Sequence, residues 1–153
     1  MLGTKSAQED GFGLRYIQGI GSFKTFDEFL RITYGSEKWN LSTRVYYASS
    51  DNDFKYTNYK KKLYLKDEEG NIIRRYHPVE RNKNGYFKDF HVLQEAYYNS
   101  KNGSRWGLSA LYMNSNRGLP MLSVDRRPAS AHKEEQDEQT FRGALNWLRM
   151  YSS

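Results

Sequence analysis

Residues Trp39 to Tyr47 read Trp-Asn-Leu-Ser-Thr-Arg-Val-Tyr-Tyr. Trp39, Leu41, Thr43, Val45 and Tyr47 fall on one parity; Asn40, Ser42, Arg44 and Tyr46 fall on the other. Extended backbone sends successive side chains to opposite sides, so this segment makes one apolar and one polar surface. Similar segments recur along the chain, joined by short turns and by long connections. That pattern matches the wall of an outer-membrane β-barrel, with tight turns at one rim and long loops at the other.

Six segments carry the strand pattern. The first covers about Phe12 to Phe23 and is glycine-rich, with a short link at Lys24. The second, about Phe26 to Tyr34, sets Leu30, Ile32 and Tyr34 against Asp27, Arg31 and Thr33, with Phe29 interrupting the polar side. Gly35-Ser36-Glu37-Lys38 is a tight turn into the third, Trp39 to Tyr47. The fourth, about Phe87 to Tyr98, groups Phe90, Val92, Ala96 and Tyr98, with Gln94 as the exception. Asn102-Gly103 signals a turn. The fifth, about Arg105 to Asn114, groups Trp106, Leu108, Ala110 and Tyr112, and the sixth starts near Thr140 with Phe141, Leu145 and Trp147. A helix over Glu134 to Met150 is the rival for that last stretch.

Two long connections separate these segments, about 51–86 and 115–139, the second ending in the acidic run Lys133 to Glu138. Within the first, Leu63 to Lys66 and Ile72 to Arg75 flank Asp67-Glu68-Glu69-Gly70-Asn71, which predicts a small hairpin closed by Pro78. Connections beyond about 15 residues usually bind something or lack order. This one is not of low complexity, so an ordered, ligand-facing structure is expected.

Composition fits the same reading. Hydrophobic residues make up 37% of the chain, yet aromatics reach 16%, including 13 tyrosines. Barrel strands need only alternate residues apolar, and no apolar run approaches the ~20 residues of a membrane helix. Tyr34 and Trp39 bracket one short turn, and Tyr98 and Trp106 bracket another; Trp147 and Tyr151 stand where a third would begin. Barrels place aromatic girdles at the membrane boundary in this way. The net charge of +6 attracts anions, though its basic residues are spread among acids with no nucleic-acid-binding run. Met1 to Asp10 holds no apolar signal core. The expectation is therefore either that this is a piece of a longer outer-membrane protein or that the membrane reading fails.

Catalytic arrangements are missing from the pattern, so no enzyme activity and no cofactor are expected. Cysteine is absent, which excludes disulfides and thiolate metal sites. His77, His91 and His132 are isolated and lack metal-ligand spacing. Gly19-Ile20-Gly21 precedes no helix and suits a bend or the close approach of another backbone. Asp51-Asn52-Asp53, with Glu68 and Glu69, offers oxygen ligands for Ca²⁺ or simply a polar turn. Arg31, Arg44 and Glu95 fall within the strands. Ligand contact is expected from Arg44 and Tyr46 on the polar side and from Tyr56, Tyr59, Arg74, Arg75 and Tyr76 on the long connection. Tyr and Arg combine apolar area with hydrogen bonding.

Gly21-Ser22-Phe23-Lys24-Thr25-Phe26 resembles the Gly-Ser-Phe-Gly-Thr-Tyr element on entry to the barrel of TonB-dependent outer-membrane receptors, with Lys24 where a Gly is usual. Tyr46-Tyr47 followed by Ser50-Asp51-Asn52-Asp53-Phe54 is similar to the strand end and loop start that come next. Leu93-Gln94-Glu95-Ala96-Tyr97-Tyr98 and Asn116-Arg117-Gly118-Leu119-Pro120 are similar to later elements of the cobalamin and siderophore receptor branch. The resemblance runs from about Phe12 to Trp147. It implies a 22-stranded barrel with a plug, coupled to the TonB complex at the inner membrane, taking up a scarce large ligand such as cobalamin, a ferric siderophore or haem. It also raises Asp51 and Asp53 as calcium candidates.

The fold expected is all-β: an antiparallel up-and-down meander of about six strands, a fragment of a transmembrane β-barrel. Residues 1–11 would be a flexible start and 12–151 a partial receptor barrel, with the plug domain outside this sequence. Expected partners are the TonB complex through that plug, outer-membrane lipid and a small-molecule ligand, with no nucleic acid, in the bacterial cell outer membrane. Six strands leave two open edges, so the isolated chain is expected to aggregate. The alternative is a soluble antiparallel β module that binds glycans or nucleic acid.

Overall fold

The computed structural model describes residues 10–120 and 134–149. Six strands form one antiparallel sheet: β1 (Gly11–Gly21), β2 (Thr25–Gly35), β3 (Trp39–Ser50), β8 (Phe87–Asn99), β9 (Ser104–Gly118) and β10 (Glu135–Arg149). They pair in that order, each with its neighbour in sequence, so the sheet is a meander. Between β3 and β8 stand two short ribbons, β4 (Lys55–Thr57) with β7 (Val79–Arg81) and β5 (Leu63–Lys66) with β6 (Ile72–Tyr76). The all-β meander and the β5–β6 hairpin are as the alternation predicts. The sheet does not close: β1 and β10 each have one unpaired edge among the described residues.

Register converts the parity pattern into two continuous faces. Trp39 lies opposite Tyr98, Tyr98 opposite Trp106, and Trp106 opposite Trp147. Four aromatic rings thus form one row across four strands, with centroids 4.8 Å apart for Trp39–Tyr98 and 5.9 Å for Trp106–Trp147. The next row on this face runs Phe12, Tyr34, Leu41, Ala96, Leu108, Leu145. Two more follow, through Leu14, Ile32 and Thr43, then Tyr16, Leu30 and Val45. None of these rows holds a charged residue. Gln94, the expected exception, does face this side. It accepts a 2.6 Å hydrogen bond from the Thr43 hydroxyl directly across the ladder and donates to its neighbour's carbonyl at Glu95. Two polar groups therefore satisfy one another within an apolar surface.

None of the described residues packs over this face. Ala48 is the one buried apolar residue among those described. Phe12 is 71% exposed, Leu108 53% and Leu145 71%. A soluble single domain buries such a face against a second layer; this sheet is one layer.

Several boundaries differ from expectation. β3 continues past Tyr47 to Ser50, and β1 ends at Gly21, leaving Phe23 and Lys24 in a turn with left-handed backbone, at φ 59° and 54°. The second long connection is shorter than expected, spanning 119–134. Ser115 to Gly118 belongs to β9 and pairs with Glu135 to Glu138 of the acidic run, which belongs to β10. The ladder uses backbone groups, so polar residues on both sides still form strand. That same pairing makes Glu135–Arg149 a strand and not a helix. Met1, Lys133, His132 and Tyr151 lie outside the described residues.

The turns follow their chemistry. The Ser36 amide donates to the Trp39 carbonyl at 2.8 Å, and Gly103 takes the left-handed conformation at φ 77° that the Asn-Gly pair predicts. At Gly19 what approaches is a side chain and not a backbone: the carboxylate of Asp27, its cross-strand partner, lies where a Cβ would be.

Candidate functional site

The polar face of the sheet gathers four arginines in one row. Arg15 lies opposite Arg31 and Arg31 opposite Arg44; the row continues through Leu93 and Leu111 to Arg142. Arg44 reaches Glu95 at 2.9 Å, with side chains 37% and 19% exposed. Arg15 and Arg31 form no ion pair among the described residues. Like charges directly across a ladder repel, so this face holds unspent attraction for anions. The adjacent row is apolar and aromatic: Ile17, Phe29, Tyr46, His91 and Met113. Tyr46 and His91 sit with ring centroids 5.6 Å apart. Phe29, which interrupts the polar alternation in the sequence, belongs to this row.

Arg44 and Tyr46 therefore stand together, as expected, on one surface that offers guanidinium groups beside aromatic rings. The residues expected on the long connection do not join them. Tyr56 on β4 donates to Glu80 on β7 at 3.4 Å. Glu80 also accepts from Asn58 at 3.0 Å and pairs with Lys61 at 3.3 Å. The Asn58 hydrogen bond, then that from Lys61, holds the Glu80 carboxyl below its ordinary range. Tyr59 packs on His77 at 5.3 Å between centroids. In the β5–β6 ribbon, Arg75 lies opposite Tyr64 and over its ring at 5.8 Å, whereas Arg74 and Tyr76 point to the other side of the ribbon. Tyr56, Tyr59 and Arg75 thus find partners within the connection, on separate ribbons and turns, and Arg74 and Tyr76 sit on the β6 strand apart from them.

Asp51 and Asp53 lie at the rim, where the connection begins. Asp51 pairs with Lys24 at 2.6 Å and Asp53 with Arg81 at 2.5 Å. The hydrogen bond to Asp51, reinforced by its charge, raises the Lys24 pKa. Each carboxylate already faces a cation. Among the described residues no group of three or more acidic or histidine side chains is placed to hold a metal ion. Glu68 and Glu69 stand at the far tip of the β5–β6 hairpin, in the turn between its strands.

The same rim holds a cavity of 560 Å³. Lys24, Ser49, Asp51, Asn82, Lys88 and Asn116 are among its lining residues, drawn from four separate segments. None of the expected arginines or tyrosines lines it. Tyr86, on one wall, has its pKa raised first by burial and then by a hydrogen bond with Glu135. Asn84 braces the structure beside it, donating to the carbonyls of Leu119 at 3.0 Å and Glu134 at 2.7 Å, and so ties the first long connection to the second.

No protein-family model matches this chain. No curated protein matches it either.

Sequence reasoning missed the β4–β7 pairing, the arginine row and the cavity. Three-residue strands carry no periodicity. The arginines sit on separate strands, and only the cross-strand register aligns them. The one available signal was parity: Arg15, Arg31 and Arg44 all take the polar side of their own strands.

Proposed function

We propose that this chain forms part of the wall of a TonB-dependent transport receptor in the bacterial outer membrane. The observation that carries the reading is the band from the row of Trp39 to the row of Val45, which holds no charged side chain on one face, is bounded by the aromatic row Trp39, Tyr98, Trp106 and Trp147, and is covered by none of the described residues. From Trp39 to Val45 is roughly 20 Å along the strand, which at a tilt near 40° gives an uncharged band roughly 16 Å tall, and the next row carries Tyr47 and Phe90 beside the first charge, Glu28. Outer-membrane barrels carry an apolar band of about 25 Å with aromatic girdles. The opposite face holds arginines, as a watery lumen permits at little cost.

In this reading the short turns at Ser36–Lys38 and Asn99–Gly103 mark the periplasmic rim, and the connections at 51–86 and 119–134 mark the outside. Ligand is captured by the outer loops and passes the guanidinium and aromatic rows of Arg44 and Tyr46. Energy comes from the TonB complex through a plug, and no bond of the ligand is made or broken. The unpaired edges of β1 and β10 take further strands of the same wall, since lipid tolerates no open edge.

The test is uptake of labelled cobalamin and of ferric siderophores by cells that lack, and cells that express, the full-length protein. Restored uptake of one ligand is the expected result. Equal uptake of every ligand with and without the protein contradicts the reading.

A further inference from the structure

The cavity at the loop rim falls within the roughly 300–1,000 Å³ of small-molecule sites. Its floor is one register row, with Ser49 opposite Lys88 and Lys88 opposite Asn116. This row lies on the apolar face, one row beyond Tyr47 and Phe90. The walls are cross-braced. The Asn82 amide donates to the Phe54 carbonyl and its side chain to the Asn52 carbonyl, both at 2.8 Å. The Asp51 amide donates to Phe23 at 3.0 Å, and Gly118 donates to Tyr86 at 2.9 Å.

Backbone strain gathers here. Among the described residues, the non-glycine positions with left-handed backbone are Phe23, Lys24, Asn52 and Asn84. Lys24 and Asn84 line the cavity, and the other two adjoin residues that do. Such conformations are costly and cluster at binding sites, where the surrounding structure holds them.

The chemistry of the lining narrows the ligand. A cation is disfavoured, because Asp51 and Asp53 are already paired with Lys24 and Arg81. An anion would meet those same two carboxylates. An apolar ligand would strip water from Asn82, Asn116 and Lys88 and return no hydrogen bonds. Asn82 and Asn116 have each given one side-chain N–H, to Asn52 and Asp137, and keep one N–H and the amide oxygen. Those oxygens stand beside two donors, the Lys88 ammonium and the Ser49 hydroxyl. A hydroxyl donates and accepts at once, so a ring bearing several hydroxyls satisfies both sets. Tyr86 adds an aromatic wall for the carbon face of such a ring.

We propose that this cavity binds a sugar ring through its hydroxyls. Two sources carry that chemistry, a free saccharide and the headgroup of a glycolipid. The position of the floor, just past the edge of the apolar band, fits the second.

The experiment uses the intact protein in a zwitterionic, sugar-free detergent, so that no detergent headgroup competes. Saturation-transfer NMR is run with the methyl glycosides of glucose, galactose, mannose and N-acetylglucosamine. A second arm measures retention of lipopolysaccharide from phosphatidylethanolamine nanodiscs that contain it. Binding in at least one arm is expected, weakened about tenfold or more by Ser49→Ala with Lys88→Gln and unchanged by Arg74→Gln. Retention of lipopolysaccharide without glycoside binding identifies the glycolipid source; glycoside binding alone identifies the free saccharide. Circular dichroism checks that the variants keep their strands, and Lys88→Gln alone replaces the double variant if that one unfolds. No binding in either arm, or binding indifferent to the floor substitutions, overturns the proposal.

Discussion

The two faces of the six-stranded sheet use the same backbone and the same rows, yet treat charge in opposite ways. Between the row of Trp39 and the row of Val45, one face holds no ionised side chain, and its one polar cross-strand pair, Thr43 with Gln94, is closed on itself. Over the same height the other face holds Arg15, Arg31, Arg44, Glu95 and Arg142. Neither face is covered by the described residues. One layer with an uncharged and a charged side is what the proposed wall requires, with lipid against the first and water against the second.

The comparison breaks most easily with adjacent residues. Ala110 sits on the apolar face and Ser109 on the polar one. Ala110→Arg in the intact protein in a bilayer should cost about 2–4 kcal/mol in urea unfolding. Ser109→Arg should stay within about 0.5 kcal/mol. Equal costs would mean that both sides meet water.

A smaller effect tests the aromatic boundary. Trp106→Ala removes the centre of the row and its contact with Trp147, and should cost about 1–2 kcal/mol in the same measurement. A substitution without effect there would remove the girdle from the account.

Smaller again is the charge pair of the polar face. Arg44 and Glu95 are both in reach of solvent, so Arg44→Gln should cost only about 0.5 kcal/mol. Its clearer readout is ligand affinity, which should fall while unfolding barely moves. A loss of several kcal/mol would place the pair in a dry interior instead.

The smallest effect should leave both faces untouched. Glu80 has its pKa lowered by Asn58 and Lys61. A depressed carboxyl contributes stability that is full above its ordinary value of 4.5 and is lost as pH falls through the folded value. Acidification below that point should speed hydrogen exchange at 55–81 while β2, β3, β8 and β9 stay protected. Loosening of the sheet at the same pH would show that the ribbons and the wall are one unit.

Much of the sheet was legible in the sequence because its faces differ. Trp39 to Tyr47 alternates almost without error, and Asn102-Gly103 fixes a turn by its own backbone preference. Legibility ended where both sides become polar. Ser115 to Gly118 and Glu135 to Glu138 pair as strand without an apolar parity to announce it. The site was less legible still. Arg44 and Tyr46 were readable from parity, but the alignment of Arg15 and Arg31 with Arg44 needs the register of three strands. The partners of Tyr56, Tyr59 and Arg75 are set by the folding of the connection on itself. The cavity joins four stretches that no local pattern links.

The most direct measurement of the two-solvent claim is spin-label accessibility in the intact protein in its native bilayer. Labels at Leu41, Val45 and Leu108 should collide with dissolved oxygen and be shielded from a water-soluble nickel chelate, while labels at Arg31 and Ser42 show the reverse. Nickel access at Leu41, Val45 and Leu108 equal to that at Arg31 would contradict the account.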